Sequence, residues 1–449
     1  MPAFLLYPLS FLLVLGVMIV VHEWGHYAAA KLLGVRVEVF SVGFGPRLLG
    51  FRRGDTDYRI SAIPLGGYVK MSGENPMDEA TGDPGEFMSH PRWHRFIIAA
   101  AGPFMNIALA VGLLTALYTF HFERPASWDT TAQVGWVRED GPAAKAGIKA
   151  GDVITNIDGV ANPKWEAALY KTVLSPGQPL PVTVQRGSQS LNFSIVPEAT
   201  GVDRYGTAGW YPQEPVEVTE LTPDKPAIKA GLKTGDVVTS ADGVPLSALP
   251  ALFQHLQDLK GKPVELAVLR QGREMKFNIQ PIADREEGSA ETFYRIGLRS
   301  ERMKIVQLPL GQAWKTSLEE NRKSSSLVLQ LLNKLVHNKV SIKQVEGPIR
   351  IGQAAGEAVQ EGLDNKGWFH IVELGAAISL NLGIFNLMPI PIMDGGVILL
   401  LLLEGLMRRD INLVVKERIY QTAFVFLVLF ASIVIFNDVT KVFSSGKLP

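Results

Sequence analysis

Four stretches of the chain hold apolar residues almost without interruption. Phe4 to Val21 is uncharged and extends toward Leu33, Phe96 to Phe120 is uncharged, Leu374 to Leu403 has Asp394 alone, and Ile419 to Phe436 has no charge. A hydrocarbon core about 30 Å thick takes about 20 helical residues, so each run predicts a membrane-spanning helix rather than a buried core helix. From His121 to about His370 the pattern changes: short apolar bursts alternate with polar positions and are cut by Asp-Gly, Pro and Gly, which predicts strands and turns.

That middle segment repeats itself. Displaced by 84 residues, Gly141 to Val160 (GPAAKAGIKAGDVITNIDGV) falls on Lys225 to Val244 (KPAIKAGLKTGDVVTSADGV) with thirteen of twenty positions identical, and Arg186, Phe193 and Pro197 fall on Arg270, Phe277 and Pro281. Each copy reads as a strand, a short helix at PAxKAG, a strand at GDVI or GDVV, a turn at Asp158-Gly159 or Asp242-Gly243, a helix and two closing strands. This resembles the PDZ domain in its bacterial protease-associated form. The resemblance implies peptide capture by strand addition, and a spacer or steric screen is the competing role. Beyond the second copy, Leu318 to His337 has apolar residues at helical spacing, which predicts an amphipathic helix at the membrane surface or packed on the repeat pair.

Charge orients the spans. Nine Lys and Arg residues lie between the first two runs and four more (Arg408, Arg409, Lys416, Arg418) between the last two, whereas the segment before Phe4 carries none. Basic short loops mark the cytoplasmic side, so both ends and the repeat are expected outside. The first run lacks a basic leader and is too long before Ala28 for a cleaved signal, so it is expected to be retained. The 44 basic and 44 acidic residues balance, which gives no indication of a nucleic-acid partner. Cysteine is absent, excluding disulfides and thiolate chemistry and leaving any metal to His, Asp or Glu.

The first run ends in VHEWGH. On a helix His22 and His26 share a face, and Glu23 lies beside them, which fits the HExxH zinc motif. Ionisable groups this deep in a membrane are costly unless paired or metal-bound. Catalytic zinc takes three protein ligands and leaves a position for water, so a third ligand is needed. His90, His94, His370, Glu373 and Asp394 lie near the spans. Counted from the cytoplasmic ends of their spans, His22 and Asp394 are level, each roughly 14 Å deep. Around Asp394, NLMPIPIMDGG carries Pro389, Pro391, Gly395 and Gly396, so a broken helix lining a cavity is expected there.

HExxH in the first span, GPFMN (Gly102 to Asn106) in the second, the tandem repeat and NLMPIPIMDGG in the third together resemble the site-two protease family of intramembrane zinc metalloproteases, over essentially the whole chain. The resemblance implies zinc bound by His22, His26 and Asp394, with Glu23 as general base. It implies that FRRGDTDYRISAIPLGGYVKM forms a membrane-associated β-hairpin turning at Gly54, whose edge at Gly66, Gly67 and Tyr68 receives the unwound substrate. It places Asn106 near the active site and Asn381, Pro389 and Pro391 in substrate handling, with interhelical hydrogen bonding as the alternative role of the asparagines, Asn386 included.

The expected fold is therefore a multi-pass α-helical membrane protein with four transmembrane helices and two periplasmic PDZ domains (α+β) inserted between the second and third spans. Its expected parts are the first span (1–33), a cytoplasmic loop with the hairpin (34–95), the second span (96–120), two PDZ units (121–208 and 209–300) and a linker with the amphipathic helix (301–369). The third segment (370–404), a cytoplasmic loop (405–418), the fourth span (419–437) and a periplasmic tail (438–449) complete it. The resemblance further implies cleavage inside membrane segments, of an anti-sigma factor already trimmed outside (the sigma-E envelope stress response) and of remnant signal peptides, in a bacterial inner membrane. A zinc transporter or channel using the same ligands, or a catalytically inactive membrane-anchored PDZ adaptor, are the competing readings. The first lacks polar residues along several spans, and the intact motifs argue against the second.

Overall fold

The computed structural model describes residues 3–74, 82–201, 204–285, 292–337, 345, 347–363 and 367–444. Among the described residues, four helices are long and apolar enough to cross a membrane: Leu5–Leu32, Arg92–Phe120, Phe369–Asn386 and Leu413–Val442. The first two pack closely because small residues line their contact. A Cβ on Gly25 would come within 2.5 Å of the Ala101 carbonyl oxygen. The third fixes to the second through Ser379, whose hydroxyl donates to the Asn106 carbonyl at 2.8 Å.

The third apolar run does not continue as one helix. Its first helix ends at Asn386, residues 387–393 form turns, and a second helix runs Asp394–Met407. Pro389 and Pro391 supply no N–H to continue the ladder. Gly395 and Gly396 let the loop fold back, since a Cβ on either would strike the carbonyl of Leu387 or Ile390.

Between the first two spans, Val37–Arg53 and Thr56–Met71 pair antiparallel around a turn at Gly54, whose φ is +60°. The expected hairpin is more folded than a simple pair. Residues 39–42 pair on one side with 57–60 and on the other with 67–70, while 47–53 pair with 56–61, giving four runs side by side. Gly67–Met71 forms one edge. The bulges at Gly43 (φ +91°) and Gly45 (φ +87°) let the long strand bend far enough to be paired twice.

The two repeat units fold alike, each around its own apolar core. In the first, Val153–Ile157, Leu180–Arg186 and Gln189–Ile195 form consecutive strands of one sheet, and in the second Val237–Ala241, Val264–Arg270 and Arg273–Ile279 do. Arg186 makes two 2.7 Å bonds to Asp152 and one to the Gly147 carbonyl, and Arg270 repeats this with Asp236 and Gly231. Burial acts to raise the Asp236 pKa, but Arg270 and the Lys233 N–H outweigh it and hold it below the usual carboxylate range. The Asp-Gly turns place Asp158 and Asp242 at positive φ, as a tight hairpin turn requires. A boundary at 208 would cut the first unit, because Trp210–Pro212 pairs back onto Val134–Val137.

Past the repeat, the amphipathic helix runs Leu310–Val336. It lies along the second span, where the buried Ser317 donates to the Val111 carbonyl, and also touches the first repeat unit. A helix at Pro348–Leu363 was not foreseen in the sequence. Its Gly352 and Gly356 lie against Phe11 and Tyr7 of the first span, and its N-terminal N–H groups donate to buried Asp438 of the last helix.

Candidate metal centre

His22 and His26 sit one turn apart on the buried face of the first span. Their Nε2 atoms are 3.2 Å apart. Asp394 reaches them from the start of its helix, with Oδ2 3.1 Å from His22 Nε2 and Oδ1 3.4 Å from His26 Nε2. All three ligand atoms fall within 4.8 Å of one another. Donors bound tetrahedrally to zinc at about 2.0–2.1 Å are roughly 3.3 Å apart, and each histidine Nε2 stands about that far from the other and from one oxygen of Asp394. The helix N-terminus beneath Asp394 favours its negative charge.

The remaining ring nitrogens are engaged. His26 Nδ1–H donates to the Ile98 carbonyl at 2.7 Å, and His22 Nδ1 is 3.1 Å from the Asn106 side-chain amide. Such contacts fix ring orientation and leave Nε2 for the metal. Asn106 is fully buried. Gly102, one turn before it, lies flat against both imidazoles: a Cβ there would overlap His26 and come 2.9 Å from His22 Cε1.

A cavity of about 390 Å³ opens from this cluster, lined by Glu23, Tyr68 and Asn386 as well as the three donors. The sheet edge forms part of its wall. A Cβ on Gly67 would lie 3.3 Å from Glu23 Cγ, and Gly66 faces the Phe44 ring. Pro389 and Pro391 line a different, apolar space of about 620 Å³ beside the last helix. Asn381 lines neither. His90 and His94 pair with each other at 2.9 Å, and His370 lies 3.5 Å from Glu361, so none of them joins the cluster. Sequence reasoning gave no site role to Arg95, Glu404 and Lys416, which also line the cavity at the histidine–aspartate cluster. The signal of Arg95 and Lys416 was the basic-loop pattern, which reads as solvated charge, and Glu404 read as the charged end of its span.

Two histidines and an aspartate gathered among helices long and apolar enough to cross a membrane form a candidate metal centre, the arrangement of a membrane metalloenzyme. The chain belongs to peptidase family M50, whose model matches residues 10–430. It is 32% identical to the regulator of sigma-E protease RseP of Salmonella typhimurium and 31% identical to that of Escherichia coli, in each case over 96% of this chain and 98% of the relative. A chain of Neisseria meningitidis that bears a zinc metalloprotease name is 30% identical over the same shares. The protein is thus a zinc-dependent metalloprotease of the site-two type.

Proposed function

We propose that His22, His26 and Asp394 hold the zinc of this peptidase, that Glu23 is its general base, and that it cuts peptide bonds within transmembrane segments. The clustering of the two histidine Nε2 atoms, 3.2 Å apart, with the Asp394 carboxylate, each imidazole within 3.4 Å of one of its oxygens, carries the ligand assignment. Zinc held there supplies a Lewis acid and lowers the pKa of bound water to about 7. Glu23, on the same helical turn, takes the proton of the attacking water and delivers it to the departing amine. A substrate helix must unwind to expose its carbonyls, and an added strand gives its freed backbone new partners. The Gly67–Met71 edge beside Glu23 is suited to that pairing, with Gly66, Gly67 and Tyr68 shaping it. Asn106 orients His22, while Asn381, Pro389 and Pro391 act on substrate around the helix break.

In this reading the protein lies in a bacterial inner membrane with the basic loops in the cytoplasm. Both termini and the repeat units, two PDZ domains, are periplasmic. The PDZ pair screens out untrimmed proteins and is open to peptide ligands. The sigma-E regulator names of the relatives support a pre-trimmed anti-sigma factor as substrate, alongside remnant signal peptides. Glu23→Gln tests the mechanism: zinc content stays at the wild-type level while cleavage of a single-span reporter falls about 10²–10⁴-fold. Undiminished cleavage by that variant would falsify the role of Glu23.

A further inference from the structure

Arg95 lies within the first turn of the second span and is only 7% exposed. It lines the cavity that holds His22, Glu23, His26 and Asp394. Its Nε has no hydrogen-bond partner, and its Nη1 donates to the Met88 sulfur at 3.3 Å. Among the described residues no carboxylate lies within the 4.0 Å of an ion pair with it. A guanidinium keeps its charge and offers five donors, so such a site is an open receptor for an anion.

The neighbouring acids are engaged elsewhere. Glu404, on the same cavity, accepts from Lys416 Nζ at 2.5 Å and from the Ile411 N–H at 3.0 Å. Asp410 accepts from Arg92 at 2.8 Å, and Glu74 from the Met71 N–H at 3.2 Å. Glu404 and Asp410 act on Arg95 through space without ion-pair contact, so its donors stay open to an anion that enters the cavity. Arg95 precedes Gly102, which lies against the metal-binding histidines, by seven residues. At 1.5 Å per residue that is about 10 Å toward the cytoplasmic side, or about three residues of extended chain.

We propose that Arg95 is a specificity-determining residue, which receives the carboxylate of an acidic substrate side chain about three residues to the cytoplasmic side of the scissile bond. The site rests on the peptidase reading above and adds a substrate preference to it. Arg and carboxylate pair through two parallel bonds, which makes the preference one of geometry as well as charge.

The test uses the full chain in detergent and single-span reporters carrying Glu or Gln at one of the positions two to five residues cytoplasmic of the cut. At one position the wild type should favour Glu over Gln in kcat/KM by about tenfold, the scale of a charge-assisted pair replacing a neutral one. Arg95→Gln should abolish that ratio, Arg95→Lys should keep part of it, and Arg95→Glu should shift preference to a Lys reporter. Binding to the Glu23→Gln protein should show the same Glu preference with cleavage slowed, and zinc content reports whether each variant keeps its core. Equal rates for all reporters, or a ratio that survives intact in Arg95→Gln, overturn the subsite and leave the peptidase reading standing. Failure of the wild type to cut any reporter overturns that reading, and the subsite with it.

Discussion

For His22 to offer Nε2 to a metal, its proton must rest on Nδ1, and Asn106 is the group that meets it there at 3.1 Å. Asn106 Oδ1 is buried with no other partner. With zinc on Nε2, the amide turned to present Oδ1 would accept the Nδ1–H and fix the ring. Asn106→Ala is therefore expected to weaken zinc binding about 10–100-fold, measured by chelator competition, while Asn106→Asp retains it. This residue shows the limit of sequence reading at the smallest scale. GPFMN marks a site, but only packing reveals that the asparagine holds an imidazole.

Among elements, the edge strand and the broken helix do the positioning. Gly67–Met71 pairs on one side alone, and the first span runs against its start so closely that a side chain on Gly67 would meet Glu23, Ile19 and the Ser41 carbonyl within 3.3 Å. Gly67→Val should reduce kcat/KM on a membrane-spanning reporter on the order of 10²-fold, the cost of a misplaced reacting group, with zinc content unchanged. Zinc loss in that variant would show that the glycine supports the metal core instead. The break at 387–393 does the matching job for Asp394. It starts a new helix at the depth of the histidines, so the carboxylate leaves from a helix N-terminus rather than from mid-span. Pro and Gly spelled the break out in sequence; the folding of one long strand into two pairings was not visible, because bulges displace register without changing composition.

Across the whole molecule, the helix Leu310–Val336 ties the first repeat unit to the membrane core. Ser317 bonds the second span, Lys323 meets Glu166 at 2.5 Å, and Lys334 caps the Trp165–Val173 helix by donating to the Leu174 carbonyl at 2.6 Å. The second span is also the one that carries Gly102 and Asn106. If the repeat pair screens substrates by size, its place over the membrane depends on this strut. Lys323→Glu should then permit cleavage of an untrimmed substrate that the wild type rejects, with the trimmed substrate cut as before. Unchanged rejection by that variant would assign the strut a purely structural part.

Local pattern in the sequence determined the four apolar runs, the duplicated unit and the HExxH face, because span length, strand alternation and helical periodicity are written into neighbouring residues. Tertiary structure alone decided which distant groups meet. It brings Asp394 to within 3.4 Å of both histidines, folds the basic loop into a four-run sheet against Glu23, runs the Leu310–Val336 helix as a strut, and leaves the Nε of Arg95 without a hydrogen-bond partner on the cavity wall. Those outcomes depend on close packing of helices through glycine and on partners far apart along the chain, and no short window of sequence contains both sides of such a contact.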